Sequence, residues 1–158
     1  STVADTSIQL ISPLTGEARD LSQAIDPVFS SGVMGKGIVI DPSEGKLFAP
    51  VDGEVSVLFP TFHAIGITTS TGIELLMHIG MDTVGLEGKG FTAHVKQGDK
   101  VKAGDLLISF DIDVIKAAGL ITETPIIVTN QTDFDTQVIG NLPRTITQGE
   151  TILTITKN

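Results

Sequence analysis

The sequence predicts an all-β fold, an antiparallel sandwich or barrel built on duplicated hairpins with one or two very short helices. Three observations predict it. Short apolar runs, each closed by Gly, Pro or Asp, recur along the chain: Ile8–Ser12, Gly37–Ile40, Glu54–Leu58, Ala64–Thr68, Ile73–Met77, Leu106–Phe110, Ile126–Val128 and Ile152–Ile155. The 17 glycines provide the backbone freedom that so many turns need. Only Asp111–Gly119 reads as a helix, with an Asp cap at its start and a Gly at its end.

Two internal echoes support the duplication. Ser12-Pro-Leu-Thr-Gly-Glu17 resembles Ala49-Pro-Val-Asp-Gly-Glu54. Val101-Lys-Ala-Gly-Asp-Leu-Leu-Ile-Ser-Phe110 matches Ile146-Thr-Gln-Gly-Glu-Thr-Ile-Leu-Thr-Ile155 nearly position for position. Each is a turn launching an apolar strand, which predicts two similar hairpin units packed together. No Pro- or Ser-rich linker divides the 158 residues, so one domain spanning 1–158 is expected.

Composition narrows the function. Apolar residues make up 41% of the chain and charged residues 18%, as in an ordered globular protein. With no cysteine there is no disulfide framework, thiol nucleophile or Cys-based zinc site, which suits a cytoplasmic location. A formal charge of −9 and scattered basic residues argue against a nucleic-acid partner. No run of about 18 apolar residues is present, so direct membrane insertion by a helix is not expected.

Without Cys or Tyr, the three histidines are the main candidates for chemistry near neutral pH. His63 opens one apolar run and His78 closes the next. A hairpin through Ser70-Thr71-Gly72 would bring 63 and 78 face to face at its open end. Two imidazoles there could hold one phosphoryl group or one metal ion. Each could equally be a hydrogen-bonded structural residue, and His94 stands alone on an exposed loop or strand.

Longer blocks bear on that choice. Asp26-Pro-Val-Phe-Ser-Ser-Gly-Val-Met-Gly-Lys-Gly37, Ala49-Pro-Val-Asp-Gly-Glu-Val55 and Phe59-Pro-Thr-Phe-His-Ala64 appear in that order. Gly72-Ile-Glu-Leu-Leu-Met-His-Ile-Gly-Met-Asp-Thr-Val84, Leu86-Glu-Gly-Lys-Gly-Phe91 and Gly98-Asp-Lys-Val101 follow, then the closing Gly149-Glu150 strand. Together they resemble the glucose-type enzyme IIA of the bacterial phosphoenolpyruvate:sugar phosphotransferase system, over nearly the whole chain.

The resemblance implies that His78 receives a phosphoryl group from the histidine-containing phosphocarrier protein. It would pass that group to a cysteine on the enzyme IIB domain of a sugar permease. It further implies that His63 assists, that Thr61 bonds His63, and that the Gly80 carbonyl orients His78. Val28, Phe29, Val33, Phe59, Leu76 and Val84 would form an apolar docking ring, with Asp26 and Asp82 as its acidic members. No cofactor would be required, although a zinc ion shared by His63, His78 and a partner carboxylate is compatible with the family. The module would be cytoplasmic, free or tethered to the membrane through a permease.

Two other readings differ in kind. His78-Ile-Gly-Met-Asp82 has the HxxxD spacing of some zinc peptidases, which would use His63, His78 and Asp82, but the later His-x-His pair is missing. Ala49–Glu54 is similar to biotinyl and lipoyl carrier domains. Those need a lysine at a hairpin tip, and Asp99-Lys100-Val101 comes nearest.

Overall fold

The computed structural model describes residues 7–158, and over them the chain is almost entirely antiparallel sheet. The strands are β1 (Ser7–Ile11), β2 (Gly16–Asp20), β3 (Lys36–Pro42), β4 (Lys46–Phe48), β5 (Gly53–Leu58), β6 (Ala64–Thr68) and β7 (Glu74–His78). They continue as β8 (Phe91–Ala93), β9 (Lys100–Val101), β10 (Leu106–Phe110), β11 (Thr124–Val128), β12 (Phe134–Val138), β13 (Arg144–Ile146) and β14 (Thr151–Lys157). An eight-stranded sheet has the order β13-β2-β3-β11-β7-β6-β5-β9, and two three-stranded sheets run β1-β14-β12 and β4-β10-β8.

The predicted helix is α2 (Ile112–Ala117), capped by Asp111, whose carboxylate accepts the Asp113 and Val114 amides. A second helix, α1 (Pro27–Ser30), was not placed by the sequence; it is only four residues long, with Asp26 as its cap and Pro27 at its first position.

The internal echoes coincide with a real duplication. The Ile11 amide donates to the Pro50 carbonyl at 3.0 Å, and the equivalent Phe48 amide donates to the Pro13 carbonyl at 2.9 Å. In one copy the Ser12 amide bonds the Glu150 carbonyl at 2.6 Å and the Gly149 amide returns to Ser12 at 3.1 Å. In the other, Ala49 bonds Asp105 at 2.8 Å and Gly104 returns to Ala49 at 2.8 Å. Gly104 and Gly149 both have positive φ, 93° and 99°, which a side chain would resist. The two hairpin units therefore meet through reciprocal backbone bonds.

Strand alternation divides the apolar residues between two clusters. Ile38, Ile40, Ile126 and Val128 enter the main core, whereas Val39 and Ile127, on the opposite face of the same strands, enter a smaller one. The smaller cluster adds Leu21, Ala24, Phe29 and Met81, with Leu76 packed against it. Covered on both faces, β11 is buried along its whole length. The small cluster is the floor on which the histidine site stands.

Close backbone approach sets one limit here. Gly37 pairs with Ile127 between β3 and β11, and a Cβ on Gly37 would overlap the Ile126 carbonyl. Gly37→Ala should therefore push the two central strands apart and destabilise the fold by roughly 1–3 kcal/mol, read by chemical denaturation.

Candidate active site

β6 and β7 form the expected hairpin, but its register differs by one residue from the symmetric pairing. Ala64, not His63, lies opposite His78. His63 lies immediately before the start of β6, where its carbonyl accepts the Ile79 amide at 2.7 Å. The chain turns there: the Phe62 amide bonds the Phe59 carbonyl at 2.8 Å, and Phe62 has φ of 61°, an uncommon left-handed setting for a bulky residue. Freed from strand alternation, the His63 ring still meets His78, with centroids 5.1 Å apart and planes at 78°.

Each ring is held at Nδ1. Thr61 Oγ1 lies 2.6 Å from His63 Nδ1, and His78 Nδ1 lies 2.7 Å from the Gly80 carbonyl. A carbonyl can only accept, so a neutral His78 carries its proton on Nδ1 and presents a bare Nε2 lone pair. The Thr61 hydroxyl can donate, and when it does His63 carries its proton on Nε2.

The Gly80 carbonyl is itself tightly placed. Gly80 has φ of 70°, and a Cβ there would lie 2.7 Å from Thr83 Cγ2 and 2.8 Å from the Ile121 carbonyl. The next amide, Met81, donates to that same Ile121 carbonyl at 2.9 Å, and the buried Thr83 hydroxyl donates to the Ile79 carbonyl. Asp82 follows in a left-handed conformation. Met81, Thr83 and Ile121 were not singled out by sequence reasoning. Their only signal was nearness to the His78 block for the first two, and Ile121 had none.

The expected docking residues divide. Val28, Val33 and Val84 are exposed at 48%, 73% and 55%, while Phe59 and Leu76 are half-buried. Phe29 departs from the expectation: it is buried, its ring 5.6 Å from the His78 ring, so it supports the histidine from below. Phe59 packs edge-on against His63 at 5.3 Å. The Asp26 carboxylate accepts the Val28 amide at 2.9 Å, so it caps α1, while Asp82 is exposed and makes no capping bond. His94 is exposed and reaches Ser109 Oγ at 2.7 Å, away from the pair.

Among the described residues, no group of three or more His, Cys, Asp or Glu is arranged to hold a metal. None of their helices is long and apolar enough to cross a membrane.

Comparison with known proteins identifies the family. Residues 8–134 match the family described as phosphoenolpyruvate-dependent sugar phosphotransferase system, EIIA 1. The chain belongs to that family, and is thus a phosphotransferase component of a sugar-transport system. It is similar to the glucose permease IIA of Mycoplasma capricolum, with a TM-score of 0.88 and 34% identity, covering 98% of this chain and 99% of that one. It is 50% identical over 121 residues to the glucose-specific EIIA component of Bacillus cereus, 77% of this chain and 73% of the relative. A β-glucoside-specific EIIBCA component of Halalkalibacterium halodurans is 52% identical over 149 residues, 94% of this chain. The chain spans only 23% of that relative's length.

Both rings of the pair should resist protonation. Burial lowers the pKa of His63, and the neighbouring His78 lowers it further. Burial also lowers that of His78, partly opposed by the Gly80 carbonyl and the charges of Asp26 and Asp82. An unfolded imidazole takes its proton near about pH 6.5, so below that the unfolded chain binds more protons than the folded one. Stability is therefore full above about pH 6.5 and falls as pH drops through the lowered native values. Nitrogen-detected NMR should give midpoints below about 6.5 for both rings; a higher midpoint for His78 would mean its carboxylates outweigh its burial.

Proposed function

We propose that this chain accepts a phosphoryl group on His78 Nε2 from the histidine-containing phosphocarrier protein. It then delivers the group to a cysteine of an enzyme IIB domain, driving sugar uptake coupled to phosphorylation. The observation that carries the reading is the His63–His78 pair, each ring held at Nδ1 and neither Nε2 bonded within the described residues.

Nε2 of His78 attacks the donor's phosphorus, and the donor N–P bond breaks with its electron pair returning to the donor ring. The proton stays on Nδ1 throughout, donated to the Gly80 carbonyl, whose oxygen steadies the positive charge that the phosphorylated ring acquires. His63, protonated on Nε2 through the Thr61 hydroxyl, donates to phosphoryl oxygens as charge spreads over them. In the second step a thiolate attacks phosphorus and the pair returns to His78. The phosphoryl group is already activated on the donor and only passes from one side chain to the next, so no nucleotide or other cofactor is required.

Docking falls to the exposed apolar residues Val28, Val33 and Val84, with Phe59 and Leu76 toward the rings. Apolar contact excludes water, and rim charges set orientation. Asp26 and Asp82 would meet basic residues of the partner. Relatives named as EIIBCA components carry EIIA together with B and C parts, which supports an enzyme IIB partner. The relatives' names give β-glucoside and glucose as the sugar classes to try first.

Incubation with phosphoenolpyruvate and the general phosphotransferase proteins should place one acid-labile phosphoryl on His78. His78→Gln should abolish it, and label appearing on His63 or His94 instead would overturn the assignment. His63→Gln should still accept, but transfer to enzyme IIB about 10²–10³ more slowly, as when a transition-state donor is lost. Equal onward transfer would remove His63 from the mechanism. Asp82→Asn should slow association with the phosphocarrier and flatten its salt dependence, measured by stopped-flow; unchanged salt dependence would exclude the contact.

A further inference from the structure

Glu123 is 3% exposed, and no step of the proposed transfer uses it. A carboxylate so buried is costly unless it is paired and hydrogen-bonded. Both of its oxygens are engaged. Oε2 accepts from Arg19 Nη1 at 2.7 Å, and Oε1 accepts the Ile25 amide at 2.9 Å. Arg19, on β2, also donates to Glu17 at 2.6 Å and reaches Asp41 at 3.5 Å, and Asp41 accepts the Thr122 hydroxyl at 2.7 Å. Ile25 immediately precedes Asp26, the cap of α1. The pair, with Glu123 buried and Arg19 partly exposed, thus reaches from the sheet to the loop that delivers Phe29 to His78.

Two residues before Glu123, the same segment grips the opposite wall. The Ile121 carbonyl accepts the Met81 amide at 2.9 Å, beside Gly80. Residues 121–123, leading into β11, therefore hold both the loop whose carbonyl orients His78 and the loop whose ring lies against it. Phe29 and Met81 close the arrangement by sharing the small apolar cluster.

We propose that the Glu123–Arg19 pair is a positioning device for the phosphoacceptor: by fixing the Ile25 amide it sets α1, and through Phe29 it sets the His78 ring. Neither residue touches His78 or takes part in bond making. The inference rests on His78 being the acceptor. A merely structural pair would be replaceable, because apolar residues in place of a buried ion pair are often neutral or stabilising. A positioning pair is not, since no apolar side chain can accept the Ile25 amide. Misplacement of a reacting group by about 1 Å can cost about 10²-fold in rate.

The test compares two double variants in the intact chain. Arg19→Leu/Glu123→Leu should melt close to wild type, exchange its Ile25, Val28 and Phe29 amides about tenfold faster or more, and accept phosphoryl on His78 about tenfold more slowly or worse. Arg19→Leu/Glu123→Gln restores an acceptor for the Ile25 amide without an unpaired charge, and should recover most of both. The leucine pair accepting phosphoryl like wild type, despite fast exchange at Ile25, would overturn the proposal. If the leucine pair does not fold, the glutamine variant decides: slow transfer with a protected Ile25 amide overturns it, and recovered transfer with a protected amide supports it. Label on a residue other than His78 in the wild-type control is the separate result that removes the acceptor reading itself, while amide exchange reports on the anchor regardless.

Discussion

The contact between His78 Nδ1 and the Gly80 carbonyl is the constraint on which the site depends. It decides which nitrogen carries the proton, and hence which one is nucleophilic. The carbonyl can point at the ring only because residue 80 takes a left-handed backbone with no room for a side chain between Thr83 and the Ile121 carbonyl. Ile79, Met81 and Thr83 then fasten the loop on either side by backbone or hydroxyl bonds. A short polar contact is thus held by packing that is mostly apolar and by main-chain bonds that side-chain fluctuation does not disturb.

Beneath that contact lies the division of the eight-stranded sheet into two faces. Period-two alternation on β3, β7 and β11 sends one set of side chains to the main core and the other to the small cluster under the histidines. His78 follows Leu76 on β7 at that period, so its place over the small cluster is a consequence of register. The reciprocal hydrogen bonds between the duplicated hairpins fix the opposite layer. The site therefore stands beside the fully buried β11, with the His63 side chain buried and His78 half-buried, an arrangement that gives the pair a precise setting.

What the sequence made legible follows from how local each feature is. The eight apolar runs, the Asp111 cap and the repeated Gly turns depend on neighbours within a few residues, and they appear where the pattern put them to within a residue or two. Thr61, His63, His78 and Gly80 were found through motif resemblance and lie together as geometry requires. The direct opposition of His63 and His78 was off by one, because the hairpin closes with Thr69 facing Ile73, and that register carries through to Ala64 against His78. Helix α1 was not placed because four residues hold no periodicity, so nothing in the sequence decided between a docking and a core role for Phe29, which is buried next to the exposed Val28. Arg19 and Glu123 are 104 positions apart, and nothing local to either marks the pair.

The electrostatics of His78 resolve an apparent conflict in the site. Carboxylates near a group that receives phosphate look unfavourable, since like charges repel. Yet in the proposed transfer the phosphorylated ring keeps its Nδ1 proton and carries a positive charge that the resting ring does not. Burial among Phe29 and its neighbours keeps resting His78 neutral and nucleophilic. Asp26 and Asp82 oppose that effect, so they favour the cationic ring that exists only after transfer. Burial and carboxylates therefore act on different states of the same residue: one keeps the lone pair free for attack, and the other steadies the charge that attack creates. Because Asp82 is exposed and Asp26 is half-buried, solvent screens both, which limits their influence on the ring. On the proposed role that balance matters, since a group held too firmly on His78 could not be handed on.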